Sequence, residues 1–250
     1  MSQAPLENMA MAAGYSMQHI FSVAPHLMEQ LNRQSPLSYG DFVTQIDKDL
    51  NNAITITESG RQHHMDKGED ELTDHILSQL KHLYPSAHHD PQNGGHCDYY
   101  FETKSAHGEL YQWVAEAKLW NGFEYVYQGL DAQLLGSYAK GGVNHCRGGL
   151  IFYSKLASGA KFAMDEWHAK LGEKGIHGHS KRTDGLRFDT DHKLNGGTGA
   201  DFYVRHYCVD IYHAPTQQKL AKAAAKKQNL AKVPSKKQRL AKAAAKKQVR

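Results

Sequence analysis

Glu116 and Lys118 stand two residues apart in Tyr111-Gln-Trp-Val-Ala-Glu116-Ala-Lys118-Leu-Trp120, a stretch rich in aromatic and small apolar residues. Tyr111, Trp113, Ala115 and Ala117 alternate with Gln112, Val114, Glu116 and Lys118, the period of a strand that opens after a Gly108 turn. On a strand, residues two apart leave the same face, so the carboxylate and the ammonium stand side by side. Burying such a pair is costly unless its members hydrogen-bond or hold an ion. Asp98 opens a second strand-like run, Asp98-Tyr-Tyr-Phe-Glu102-Thr-Lys104, and Ser105-Ala-His-Gly-Glu109 joins the two runs as a hairpin. That hairpin brings Asp98 and Glu116 to adjacent strands, where two carboxylates suit a hard, oxygen-preferring divalent cation such as Mg²⁺. Glu102-Thr-Lys104 repeats the Glu-x-Lys spacing, but it runs into a polar turn, whereas the flanks of Glu116 make a buried strand.

The elements that position these residues are read from periodicity. Glu69 to Tyr84 is predicted as a helix: Leu72, Ile76, Leu77, Leu80 and Leu83 share one face, acids fill the first turn, and Pro85 follows. His88 to His96 is a loop by its Gly, Pro and Asn content and leads directly into Asp98. Its histidines are weak grounds for zinc, because 17 histidines in 250 residues produce close pairs often. Tyr125 to Ala139 has Leu130, Leu134, Leu135 and Tyr138 at helical spacing, and a helix there would aim the Gln133 amide at the Glu116 strand or leave it on the surface. Gly148 to Ser154 reads as a buried central strand, Ala160 to Leu171 as a helix, and Asp201 to Tyr212 as a peripheral strand. Residues 174–200 are expected to be a long loop with at most a short strand at Leu186 to Phe188. Upstream, residues 5–33 are predicted helical, with Pro25 kinking or starting the helix. Residues 41–57 are expected to form a short helix followed by a strand at Ile54-Thr-Ile56.

Asp98, then Glu116-x-Lys118, then Gln133-Leu-Leu-Gly-Ser-Tyr138, resembles the active-site signature of the PD-(D/E)xK, or restriction-endonuclease-like, nuclease superfamily. The phrase Ala-Glu116-Ala-Lys118-Leu-Trp-Asn-Gly, with Gly148-Gly-Leu-Ile-Phe-Tyr153 after it, is similar to a subset of its bacterial nuclease domains; the resemblance spans roughly residues 69–155. Two positions depart from the pattern: Cys97 stands where proline is common, and Gln133 and Tyr138 are five apart where the usual motif has four. The resemblance implies an α/β fold with a restriction-endonuclease-like core of helix, mixed central sheet, helix and strand. It also implies Mg²⁺-dependent hydrolysis of DNA phosphodiester bonds, with Mn²⁺ as a substitute and RNA as a further substrate class. Asp98 and Glu116 would hold the metal, helped by the Ala117 carbonyl and by a glutamate of the preceding helix, where Glu71 matches best and Glu69 is the alternative. Both are equally well ordinary first-turn acids. Lys118 would orient water or stabilise charge on the phosphorane, and Gln133 would position water, lysine or phosphate. A phage-defence role, a homodimer and a regulatory partner protein are expectations of the same resemblance. The competing reading is a noncatalytic nucleic-acid-binding protein on a nuclease fold.

Composition bounds these readings. With 40% hydrophobic residues the 250-residue chain can bury a sizeable core. No run of 18 apolar residues and no leader pattern is present, so no membrane partner and a cytoplasmic location are expected. Three widely spaced cysteines fit reduced thiols. Residues 217–250 carry 12 of the 30 Lys and Arg and none of the 26 acids, which leaves residues 1–216 at a net −8. We therefore divide the chain into a mainly helical N-terminal extension (1–60), a nuclease-like domain (61–216) and a basic tail (217–250) built on a decapeptide repeat, flexible or helical. Lys222, Lys226, Lys227, Lys236, Lys237, Arg239, Lys246 and Lys247 recur in that repeat and are the expected phosphate contacts. If half of the tail's charges engage phosphates, affinity should fall with log salt at a slope of roughly −5.

Overall fold

The computed structural model of the protein describes residues 14, 16–24, 26–84, 86–87, 97–180, 185–194 and 199–214. The histidine-rich loop 88–96 and the basic tail 217–250, with every phosphate contact expected there, lie outside the described residues. The chain divides into two units after Tyr212, and the described helices and strands all belong to the first, residues 1–212.

The frame of this unit is a five-stranded mixed sheet between two layers of helices. Strands β1 (Tyr99–Lys104) and β2 (Leu110–Leu119) form the expected hairpin, with Tyr99 opposite Ala115 and Lys104 opposite Leu110. Strand β3 (Arg147–Ser154) runs parallel to β2, and β5 (Asp201–Asp210) parallel to β3. β4 (Arg187–Lys193) closes the far edge antiparallel to β5, giving the order β1-β2-β3-β5-β4.

The helices are α1 (Met17–Val23), α2 (His26–Gln34), α3 (Tyr39–Ser59), α4 (Glu69–Leu80), α5 (Phe123–Gln128) and α6 (Ala160–Glu173). From α5 the chain passes directly into a π-helix, Gly129–Tyr138. One face of the sheet, carrying Phe101, Trp113, Ile151 and Tyr207, is covered by Phe42, Ile46 and Leu50 of α3 and by Leu72 and Ile76 of α4. The other face, carrying Leu150, Phe152, Val204 and Cys208, is covered by Val126 of α5, Leu130 and Leu134 of the π-helix, and Met164 and Trp167 of α6. Alternate side chains of each strand feed opposite cores, as the pleat requires.

Three expectations are corrected. Residues 39–59 form one 21-residue helix, not a short helix and a strand. Ile54 is buried in register with Phe42, Ile46 and Leu50, while Ile56 is 60% exposed, so burial on a helical period overrides the β-branched preference of Ile-Thr-Ile. The same helix contributes Asp49 to a buried bidentate pair with Arg33 (2.7 and 2.8 Å), which ties α2 and α3 together. β5 is interior rather than peripheral, because β4 extends over seven residues where only a short strand at Leu186 to Phe188 is expected. The inward positions of β4 after Phe188 are Thr190 and His192, both buried. Thr190 Oγ1 lies 2.7 Å from both His192 and His206, and Trp167 Nε1 donates to His206 Nδ1 (3.1 Å). A core face made of hydrogen-bonded polar groups carries no hydrophobic period.

Among the described residues, no helix is long and apolar enough to cross a membrane.

Candidate active site

The site begins with the end of β1. Pairing between β1 and β2 stops at Tyr99 opposite Ala115, so the next amides of β2 that face this edge, those of Ala117 and Leu119, have no strand partner. Buried backbone donors need acceptors. Here two carboxylates supply them: Ala117 N donates to Asp98 Oδ2 (2.7 Å) and Leu119 N to Glu69 Oε2 (2.6 Å). A residue's N–H and C=O point to the same side of a strand, so the Ala117 carbonyl projects along this edge between the two acids.

Glu116 and Lys118 face the α5/π-helix side of the sheet, 1% and 8% exposed. Lys118 Nζ donates to Glu116 Oε1 and to Glu69 Oε1, the latter at 3.2 Å. Glu116 Oε2 is buried and has no hydrogen-bond partner. Burial, and then the negative charge of Asp98, pushes the Glu116 carboxyl from an ordinary 4.5 up to about 8, against the pull of Lys118. Burial works against the Lys118 ammonium. The charges of Glu116, Glu69 and Asp98 more than offset it and hold the lysine protonated.

Glu69 arrives from α4, whose position over the sheet is fixed one turn later. Thr73 Oγ1 meets the Tyr153 hydroxyl of β3 at 2.9 Å, and that hydroxyl meets Tyr99 OH at 2.9 Å. Tyr125 OH also reaches Glu69 Oε2 at 3.4 Å. Glu71, carried over from the resemblance as a metal ligand, is turned away: its Oε2 accepts from Gly68 N (2.9 Å) and completes the helix N-terminus. The structure thus brings together Asp98, Glu116, Lys118 and the Ala117 backbone with Glu69, and it does not bring Glu71 to them.

Gln133 lies half-buried on the π-helix, and Tyr138 is buried five residues on. In this helix Ala139 N donates to Leu134 O (2.8 Å) and Ser137 Oγ to Ala132 O (3.0 Å), each five residues back. Residues five apart are therefore one turn apart, as residues four apart are in an α-helix. The unusual spacing of Gln133 and Tyr138 is absorbed by the wider helix, so the two share a side of it. Burial, followed by the charges of Glu116 and Asp98, raises the Tyr138 phenol above its ordinary value, which sets Tyr138 beside the carboxylates.

Gly129, which no sequence motif singles out, is the roof of the site. A Cβ there would lie 2.9 Å from Lys118 Cγ, 3.1 Å from its Cε and 3.4 Å from Glu116 Cγ. Gly129→Val is expected to push the lysine stem out of register and to cost roughly 10²-fold in turnover, with the fold retained at a cost of about 1–3 kcal/mol. Steady-state kinetics beside a thermal melt would separate the two effects. Wild-type turnover in the variant would mean that Lys118 is not held by this contact.

The chemistry of the donors is that of a hard-cation site. Two carboxylates meet at one strand edge, one carries an orphaned buried oxygen, and the charge crowded onto Glu116 is relieved by a positive ion. Among the described residues there is no group of three or more His, Cys, Asp or Glu side chains placed to hold a metal ion. Mg²⁺ does not require one, because it takes one or two carboxylates and keeps several waters.

Comparisons of the chain with family models, curated proteins and solved structures find no match.

Proposed function

We propose that the chain is a Mg²⁺-dependent nuclease that hydrolyses DNA phosphodiester bonds, on a core of the restriction-endonuclease-like kind. The observation that carries this reading is the convergence of Asp98, Glu116 and Lys118 at one strand edge, with Glu116 Oε2 buried and unpartnered. A buried acceptor without a partner costs about 1–3 kcal/mol, and a bound cation would satisfy it.

In this reading Asp98, Glu116 and the Ala117 carbonyl hold the cation. When bound, Mg²⁺ would acidify a water and draw charge from the phosphoryl oxygens. Asp98 is oriented for the task by the Ala117 amide. Lys118, kept protonated by three acids, donates its Nζ hydrogens to the phosphate as negative charge builds there. Glu69 anchors that ammonium from the opposite side, so its removal would slow turnover through the position of Lys118. Gln133 would orient the water or the phosphate from the π-helix.

Supercoiled plasmid incubated with the full chain tests the proposal. Nicking or linearisation with Mg²⁺ that is abolished by EDTA, by Glu116→Ala and by Lys118→Ala is expected. Salt-sensitive retention of the plasmid without cutting, unchanged in both variants, would replace the nuclease reading with that of a binding protein.

A further inference from the structure

Tyr125 stands on α5 at the mouth of the candidate site. Phe123 and Val126 of the same helix turn into the core, and Tyr125 is left outside it, 41% exposed. Its hydroxyl reaches Glu69 Oε2 (3.4 Å), on the carboxylate whose other oxygen takes Lys118 Nζ (3.2 Å). Partial burial and then the charge of Glu69 raise the phenol above its ordinary value, and the charges of Lys118 and Glu116 also reach it. The ring therefore ends close to the ammonium that the reading above places on the phosphate.

The face of this ring is unused. Two residues on, Tyr127 stacks on Phe123 (5.4 Å between centres) and has Lys174 Nζ over it (4.3 Å from the centre). Among the described residues no ring and no cation lies against Tyr125 in this way. An exposed tyrosine is unremarkable by itself. This one borders a site whose reactive groups are recessed, Glu116 at 1% and Lys118 at 8% exposure, so a chain that reaches them has to bend inward past the ring. The margin is acidic as well: Asp70, Glu71 and Glu124, all exposed, adjoin Glu69 and Tyr125 in the chain. A single strand presents its phosphates at half the density of a duplex, so these acids oppose it less.

We infer that Tyr125 is a stacking platform for an unpaired nucleobase next to the scissile phosphate, and that the substrate of the site is single-stranded DNA. The inference rests on the nuclease reading and adds the form of the substrate. With a phosphate on the cation and Lys118, the base of the same nucleotide lies about a side chain's length away, within reach of the Tyr125 ring. In a duplex that base is paired and its faces are covered by its neighbours, so the ring has nothing to stack on. Stacking of this kind is tolerant of sequence, because every base has a π-face. Negatively supercoiled plasmid offers transiently unpaired segments and remains a substrate.

The test is binding of a labelled single-stranded oligonucleotide, and of its duplex, to the full chain by fluorescence anisotropy. Ca²⁺ replaces Mg²⁺, to fill the cation site while slowing hydrolysis. High salt suppresses nonspecific phosphate attraction and leaves stacking in place. Tyr125→Ala should bind the single strand roughly tenfold more weakly and the duplex as the wild type does. Tyr125→Phe, which keeps the ring, and Phe162→Ala, which removes an exposed aromatic from α6, should stay close to wild type. No loss in Tyr125→Ala, an equal loss for the duplex, or a Tyr125→Phe as weak as Tyr125→Ala would overturn the platform, the last by assigning the effect to the hydroxyl on Glu69. Mg²⁺-dependent cleavage of either substrate by the wild type judges the nuclease reading separately. A chain that binds single strands through Tyr125 without cutting keeps the platform and loses the nuclease. One that cuts both forms alike, with or without the ring, keeps the nuclease and loses the platform. Melting curves of the variants confirm that a loss of binding is not a loss of fold.

Discussion

Glu116→Gln is expected to abolish cleavage and, in metal-free protein, to raise the melting temperature. The amide keeps an oxygen to accept from Lys118 and removes the carboxyl whose ionisation burial and the charge of Asp98 oppose. Its effect on stability depends on pH, with a sign set by the raised carboxyl of Glu116. Below about 4.5 both the folded and the unfolded chain hold the proton, and the substitution should change little. Between 4.5 and about 8 the unfolded chain releases it while the folded chain keeps it, so wild-type stability falls with rising pH. The slope is at most roughly 1.4 kcal/mol per pH unit. The variant has no such group, and its advantage should widen from pH 5 to pH 8, reaching at most about 10 °C in a chain of this size. Melting curves at several pH values, with and without Mg²⁺, check this. A wild type and variant that melt together at pH 8 would mean that Glu116 is not strained by its surroundings. The Mg²⁺ affinity of the wild type should rise toward pH 8, because the cation competes with that proton.

Lys118→Met should be equally silent in catalysis, lowering turnover by roughly 10²–10³-fold, but with the opposite effect on stability. Removing the ammonium leaves Glu116 Oε1 and Glu69 Oε1 without their donor beside Asp98. Breaking a buried pair in this way costs about 3–5 kcal/mol when both acids are ionised. The loss should therefore be largest above pH 8 and smaller at pH 6, where Glu116 takes up a proton instead. Mg²⁺ should restore part of it. Two variants of one ion pair, both inactive and shifted in opposite directions in stability, would distinguish a strained functional site from an ordinary structural salt bridge. Parallel destabilisation in both would point to the structural role.

Much of this arrangement is legible in the order of residues alone. The alternation around Glu116 and the one-sided leucines of α4 are strong periodic signals, and the structure keeps both elements close to their expected bounds. The pairing of Asp98 with the Glu116 strand follows from a short hairpin loop. Other features depend on contacts that no local pattern records. Glu69 and Glu71 share a first turn and leave the helix on nearly opposite sides. Only the open amides of β2 and the Gly68 amide decide which acid turns inward. The π-helix is invisible to a search for 3.6-residue repeats, although the five-residue step from Gln133 to Tyr138 is its trace. Gly129 reads as an indifferent residue in a helical stretch until the lysine stem packed against it is seen. β5 reads as a peripheral strand because its partner β4 buries threonine and histidine where a strand pattern expects aliphatic residues.

The early end of β1 has one more consequence. It leaves the amides of Ala117 and Leu119 without a strand partner, and an unpaired strand margin is where a neighbouring chain could add itself. Asp98 and Glu69 occupy the amides that such an intruder would need, and their charge repels it. The acids that prepare the margin for a cation also guard it against self-association. Asp98→Asn/Glu69→Gln should accordingly shorten the time the protein stays monodisperse at high concentration, as light scattering would record.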